Sequence, residues 1–188
     1  MKRLLLIVDP QIDFINGTLP VPGAAEAMDS LAEYISQSDG RYAHKIITAD
    51  RHPFDHCSFM ANGGIWPPHC IHDTAGAAVW QPLFTPLYLT DGDVTFLHKG
   101  QKKDTEEYSI FRNRDAAGII TGLVSEMQID RIDLCGIAGD ICVNDTLKDG
   151  VSLFGNEMFN ILMRFCPSID GGAGLKATMK NLGVKGEM

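Results

Sequence analysis

The sequence predicts an α/β domain, a doubly wound, mostly parallel sheet with helices on both faces. Three observations predict it. Short continuous apolar runs such as Leu4 to Val8 stop abruptly at polar residues, as strands buried on both faces do. Stretches with apolar residues at helical spacing alternate with these runs. Four chemistry-bearing groups follow predicted strands at their carboxyl ends, the edge at which open α/β sheets bind ligands.

The elements follow in order. Leu4 to Val8 is a buried strand closed by Asp9-Pro10. Residues 23–37 form a helix: Ala24, Ala27, Met28, Leu31 and Ile35 recur on one face, between Gly23 and Asp39-Gly40. Lys45 to Thr48 is the second strand and ends at Ala49-Asp50. Residues 51–92 are rich in Pro and Gly and show little periodicity, so they read as a long loop, a feature usually kept for function. Val94 to Leu97 is the third strand, ending at His98-Lys99. Residues 115–126 are helical, with Ile119, Ile120, Leu123 and Val124 on one side. Ile132 to Ile137 is the fourth strand and runs into Ala138-Gly139-Asp140. A helix starts in 141–149. Val151 to Phe154 or Met158 to Leu162 supplies a fifth strand, and 173–182 a last helix. With no internal repeat, low-complexity tract or linker, a single domain over 1–188 is expected.

Bulk properties narrow the function. The 188 residues carry 45% hydrophobic and 21% charged side chains, ordinary for a globular protein. A net charge of −8 argues against nucleic acid or an anionic membrane as partner. Lys2-Arg3 before Leu4–Val8 imitates a signal peptide, but the run is too short and Asp9 ends it. A cytoplasmic protein is expected. Its five cysteines, at 57, 70, 135, 142 and 166, are then free thiols, one of them reactive.

The strand ends deliver Asp9, Asp50, Lys99 and Cys142 to one rim. Taken singly, Asp9 reads as a turn residue, Lys99 as a surface lysine and Cys142 as a core thiol. Taken together, an acid, a cation and a thiol make a nucleophile with its base and an electrostatic activator. A helix start near Cys142 would favour its thiolate. In "DRHPFDHCSF", Asp50 and His52 are two apart and face the same way on extended chain, so both can reach one ion. His69 in "WPPHC" offers a third ligand, and His56 is a candidate fourth or a neighbour of the set. Three protein ligands leave room for water or substrate, the pattern of a catalytic metal.

These segments together resemble the nicotinamidase/pyrazinamidase group of the isochorismatase-like cysteine hydrolases. The resemblance runs from "LLIVDPQIDF" through "DRHPFDHCSF", "WPPHC" with "DTAGA", and "FLHKG" with "EYSIF", to "GIAGDICVNDT". It implies the isochorismatase-like hydrolase fold and an Asp9–Lys99–Cys142 triad. It also implies one divalent ion on Asp50, His52 and His69, with Zn²⁺ the first expectation and Fe²⁺ or Mn²⁺ the alternatives. A non-proline cis peptide at Ile137–Ala138 is implied, with the Ala138 and Cys142 N–H groups as an oxyanion hole. Phe14 and Trp66 match aromatic residues that flank a pyridine ring. The implied reaction is hydrolysis of nicotinamide to nicotinate and ammonia through a thioester, on a small aromatic amide, in a homo-oligomer. Two departures stand out: Asp73-Thr74 replaces a common Gly-Thr, and Ile141 replaces an aromatic residue before the thiol. An N-carbamoyl amidase would keep the triad without needing a metal, and an isochorismatase would not need the cysteine. A non-catalytic metal-binding module would need no triad.

Overall fold

The apolar runs pair into a six-stranded parallel sheet of order β3-β2-β1-β4-β5-β6. The computed structural model describes residues 1–187; Met188, the last residue of the expected domain, lies outside them. The strands are β1 (Arg3–Val8), β2 (His44–Asp50), β3 (Asp93–Lys99), β4 (Arg131–Gly136), β5 (Phe159–Leu162) and β6 (Lys185–Glu187). β1 is central, with Leu6 opposite Ile46 on one side and Leu134 on the other. β1 is buried on both faces, which is why Leu4 to Val8 runs apolar without alternation. The chain moves one way from β1 to β3 and the other way from β4 to β6. The sheet therefore switches direction between β1 and β4, and a crevice opens there at the carboxyl ends.

The helices are α1 (Ile12–Ile15), α2 (Ala24–Gln37), α3 (Phe84–Leu89), α4 (Arg114–Glu126), α5 (Asn144–Phe154) and α6 (Ala173–Leu182). Right-handed crossovers put α2 and α3 on one face and the helices after β3 on the other. α2 packs against α3, and α5 against α6. α2 buries Ala24, Met28, Leu31 and Ile35 of the stripe its periodicity predicts, with Ala32 buried beside them and Ala27 only half-buried. No helix among the described residues is long and apolar enough to cross a membrane.

The structure corrects the sequence reading in three places. Val151 to Phe154 continues α5, and only Phe159–Leu162 enters the sheet. The segment expected to begin a helix at 141 is a π-helical turn, Gly139–Val143, that hands over to α5. Residues 51–92 are not a bare loop: they hold three short 3₁₀ turns and α3. Lys45 stands in β2 as expected and is wholly buried, and its ammonium donates to the Thr90 carbonyl and hydroxyl and the Asp91 carbonyl. A lysine at the end of α3 suits the carbonyls that a helix leaves without partners there.

Candidate active site

Four strand ends meet at the crevice. Asp9 leaves β1 in a left-handed conformation, φ 46°, a backbone that costs a non-glycine residue about 1 kcal/mol or more. Its N–H is anchored on the Thr48 carbonyl, and the Thr48 hydroxyl donates to Asp9 Oδ1 at 2.6 Å. Lys99 closes β3 with its side chain fully buried. Its Nζ lies 2.8 Å from Asp9 Oδ2, 2.7 Å from Asp50 Oδ1 and 3.7 Å from Cys142 Sγ. Asp9, Lys99 and Cys142 thus converge on one point, with Asp50 sharing the lysine.

Burial sets the resting charges. Desolvation raises Asp9 above the usual carboxylate range, and the Asp50 charge adds to this while Lys99 opposes it. Desolvation works against the Lys99 ammonium, but Asp50 and Asp9 overcome it and hold the lysine well above its ordinary value. Cys142 is pushed up, first by burial and then by the two carboxylates, against the pull of Lys99. Burial thus works against the Cys142 thiolate, and the Lys99 charge works for it. The expected helix start is displaced, because Cys142 sits inside the π turn. The bonds closing that turn run from the Ile141 and Val143 N–H groups to the Ala138 carbonyl, and neither uses the N–H of Ala138 or Cys142. The Ile137–Ala138 peptide is cis.

Asp50, His52 and His69 each bring one ligand atom within 4.8 Å of the others, all of them buried. Their chemistry fits a divalent ion. His52 Nδ1–H donates to the Gly100 carbonyl at 2.9 Å and His69 Nδ1–H to the Pro67 carbonyl at 2.8 Å. Each ring thereby turns a bare Nε2 toward the cluster. Burial lowers His52 to about 3 and lowers His69 as well, so both lone pairs are free at neutral pH. Asp50 spends Oδ1 on Lys99 and keeps Oδ2, which lies 3.8 Å from His52 Nε2. Asp9, Asp50 and Cys142 form a second such group, but the Lys99 ammonium already fills its centre.

His56 is brought beside this set and not into it. Its Nδ1 bonds Ser58 Oγ at 2.7 Å, its Nε2 faces the Thr105 carbonyl at 3.1 Å, and its ring stacks on His52 at 4.0 Å. Both nitrogens are occupied, so His56 supports the His52 ring and has no lone pair for an ion.

A pocket opens over the cluster, lined by Phe14, Trp66, Tyr108, Ile141 and Cys142 among others. Trp66 Nε1–H donates to Tyr108 Oη at 3.0 Å, which fixes two aromatic walls together. Ile141 faces this pocket, so the departure there alters a wall. Asp73 lies elsewhere, at φ 64°, a backbone for which glycine is better suited. Tyr108, Glu106, Gln11 and Asp13 were not singled out from the sequence. Gln11 clamps Asp50 by both ends, accepting from its N–H at 2.7 Å and donating to its carbonyl at 2.8 Å. Buried Asp13 accepts the Cys70 N–H at 2.7 Å, next to His69. For Gln11 and Asp13 only the segment "DPQIDF", read whole, carries a trace of these roles, because both bond backbone far away in sequence.

Comparison with known proteins gives a consistent result. Residues 3–157 match the isochorismatase domain family. The chain is 34% identical to the nicotinamidase/pyrazinamidase of Mycobacterium tuberculosis over 154 residues, covering 79% of this chain and 78% of that one. It is 28% identical to the nicotinamidase of Escherichia coli over 169 residues, covering 80% and 77%. Its fold superposes on the pyrazinamidase of Pyrococcus horikoshii, solved in complex with zinc, with a TM-score of 0.82 at 29% identity, over 100% of this chain and 99% of that one. PnC1 of L. infantum, solved in complex with nicotinate, gives 0.83 at 29% identity, over 99% and 92%.

Proposed function

The chain belongs to the isochorismatase family, and we propose that within it the protein is a metal-containing cysteine amidohydrolase that converts nicotinamide to nicotinate and ammonia, the reaction of NAD salvage. One observation carries this reading. Cys142, with Lys99 and Asp9 behind it, and the Asp50–His52–His69 set border one pocket with aromatic walls. An N-carbamoyl amidase would not need the second set, and an isochorismatase would not need Cys142.

In the proposed mechanism, Asp9 accepts the proton of Cys142 as Sγ attacks the carboxamide carbon. A raised Asp9 is a stronger base for this than a solvated carboxylate. Lys99, held between Asp9 and Asp50, offsets the negative charge that appears on sulfur. The Ala138 and Cys142 N–H groups receive the tetrahedral oxyanion, a donor pair of which each member typically contributes about 3 kcal/mol to lowering the barrier. Asp9 then returns its proton to the departing ammonia, and the C–N bond breaks to leave a thioester on Cys142. Asp9 next draws a proton from water, which attacks the thioester and releases nicotinate and the thiol.

Asp50, His52 and His69 would hold the ion; their nitrogen and oxygen donors suit Zn²⁺, Fe²⁺ or Mn²⁺, and we take Zn²⁺ first because the pyrazinamidase of Pyrococcus horikoshii was solved in complex with zinc. When bound, it supplies a Lewis-acid site for the lone pair of a ring nitrogen and positive charge beside Asp50. Phe14 and Trp66 orient the flat ring, and Tyr108 holds the Trp66 indole in place.

Ammonia release from nicotinamide by the purified protein tests this reading. Ammonia and nicotinate should form in equal amounts, fall when a chelator strips the protein, and return with added Zn²⁺. Zinc-loaded protein that yields no ammonia would remove the proposed reaction.

A further inference from the structure

Gly100 joins the two halves of the site. It follows Lys99 directly, and its carbonyl accepts the His52 Nδ1–H at 2.9 Å. Its own N–H donates to Glu107 Oε2, also at 2.9 Å. Gly100 has φ +66°, and a Cβ added there would stand 2.4 Å from His52 Cε1. The close approach of the imidazole thus requires glycine, and glycine is the residue least able to hold its own backbone still. The turn needs a brace from outside.

Glu107 stands where such a brace must be. It is 3% exposed, and both partners of its Oε2 are neutral: the Gly100 N–H and Asn113 Nδ2 at 3.2 Å. A buried carboxylate held by neutral donors is costly to keep, so a shorter or apolar residue would serve a mere packing role better. Asn113 is fixed in turn, because its Oδ1 caps α4 through the Ala116 N–H at 3.1 Å. A rigid path leads from α4 through Asn113 and Glu107 to Gly100, and from there to His52 on one side and Lys99 on the other.

We propose that Glu107 is a positioning residue of the site: by gripping the Gly100 N–H it fixes the carbonyl that orients the His52 ring and the chain end that aims Lys99. The proposal rests on the function given above. It touches neither substrate nor ion and acts through Gly100 alone.

The test compares three variants of the full chain. Glu107→Met keeps length and bulk without an acceptor, Glu107→Gln keeps an acceptor oxygen, and Glu107→Asp draws the acceptor back by one carbon. Zinc affinity by competition with a chelator is read beside kcat and KM for nicotinamide and the thermal midpoint. Partners that orient a metal-ligating histidine typically contribute about tenfold or more in metal affinity. Met and Asp should therefore lose about tenfold in zinc affinity, with a fall in kcat, while Gln stays within about threefold of wild type. If Met fails to fold, the contrast between Gln and Asp carries the same test. A lowered thermal midpoint with zinc affinity and kcat unchanged in Met, or in Asp where Met does not fold, would overturn the proposal and leave Glu107 a packing residue. A wild type that binds no zinc and hydrolyses no nicotinamide would instead remove the function itself, and this proposal with it.

Discussion

Asp9 is where backbone and chemistry meet. Its left-handed turn directs the carboxylate at Lys99 and Cys142, and the Thr48 hydroxyl holds it there. Asn tolerates the same backbone and can still accept from Thr48, so Asp9→Asn should fold normally. It should lower kcat by about 10²–10⁴-fold, the usual contribution of a positioned proton acceptor; a kcat within threefold of wild type would remove Asp9 as the base. His52→Ala should lose the ion, which elemental analysis of protein purified without added metal reads directly. Retention of one ion per chain in that variant would mean that the binding set lies elsewhere. The side chains that converge at the crevice were legible, because acids, a lysine, a thiol and histidines near strand ends are uncommon together. Gln11, Asp13 and Glu107 were not legible. Their partners are backbone groups 39, 57 and 7 positions away, and no side-chain pattern marks a backbone partner. The burial that raises the Cys142 thiol was not legible either, since burial is a property of the fold and not of the residue's neighbours in sequence.

At the scale of elements, the switch between β1 and β4 makes the strictest demand. Gly136 ends β4 at φ +125°, and a Cβ there would lie 2.1 Å from the Val8 carbonyl oxygen. The strands cannot part without moving Asp9 and the Cys142 turn. Gly136→Ala should destabilise the protein by about 3 kcal/mol, a fall of about 6–12 °C in Tm for a chain of this size. A shift below 2 °C in a thermal melt would show that the crevice yields more readily than its packing implies. Helices were legible by their apolar period, and α2 buries nearly the stripe expected of it. Other elements carried weaker signals. Val151–Phe154 is as apolar as a strand, but it completes the amphipathic turn of α5, and periodicity cannot separate the two in so short a run. β6 is three exposed residues, Lys-Gly-Glu, with no pattern to read. The π turn at Cys142 has no sequence signature beyond its glycine.

For the whole molecule, six parallel strands bring residues from four sequence-distant segments to one edge, and that arrangement gives the pocket its specificity. In the proposed function the ion reads the ring nitrogen, and Phe14 and Trp66 read the flat ring. Benzamide offers the ring and the amide but no ring nitrogen. Its kcat/KM should fall well below that of nicotinamide, by about 10²-fold for a substrate that has lost one anchoring interaction. Equal values would direct attention to the pocket wall at Ile141 and to a different natural amide. The sheet order was not read from sequence, although the alternation of elements was, because order depends on which crossovers reverse. The account as a whole stands on the thiol. The most direct measurement is the initial rate of nicotinate formation by Cys142→Ala against wild type, each loaded with zinc and shown to be folded. The account predicts a loss of at least about 10³-fold, since no other group in the pocket can form the thioester. Nicotinate formed by Cys142→Ala at a rate within tenfold of wild type would contradict it.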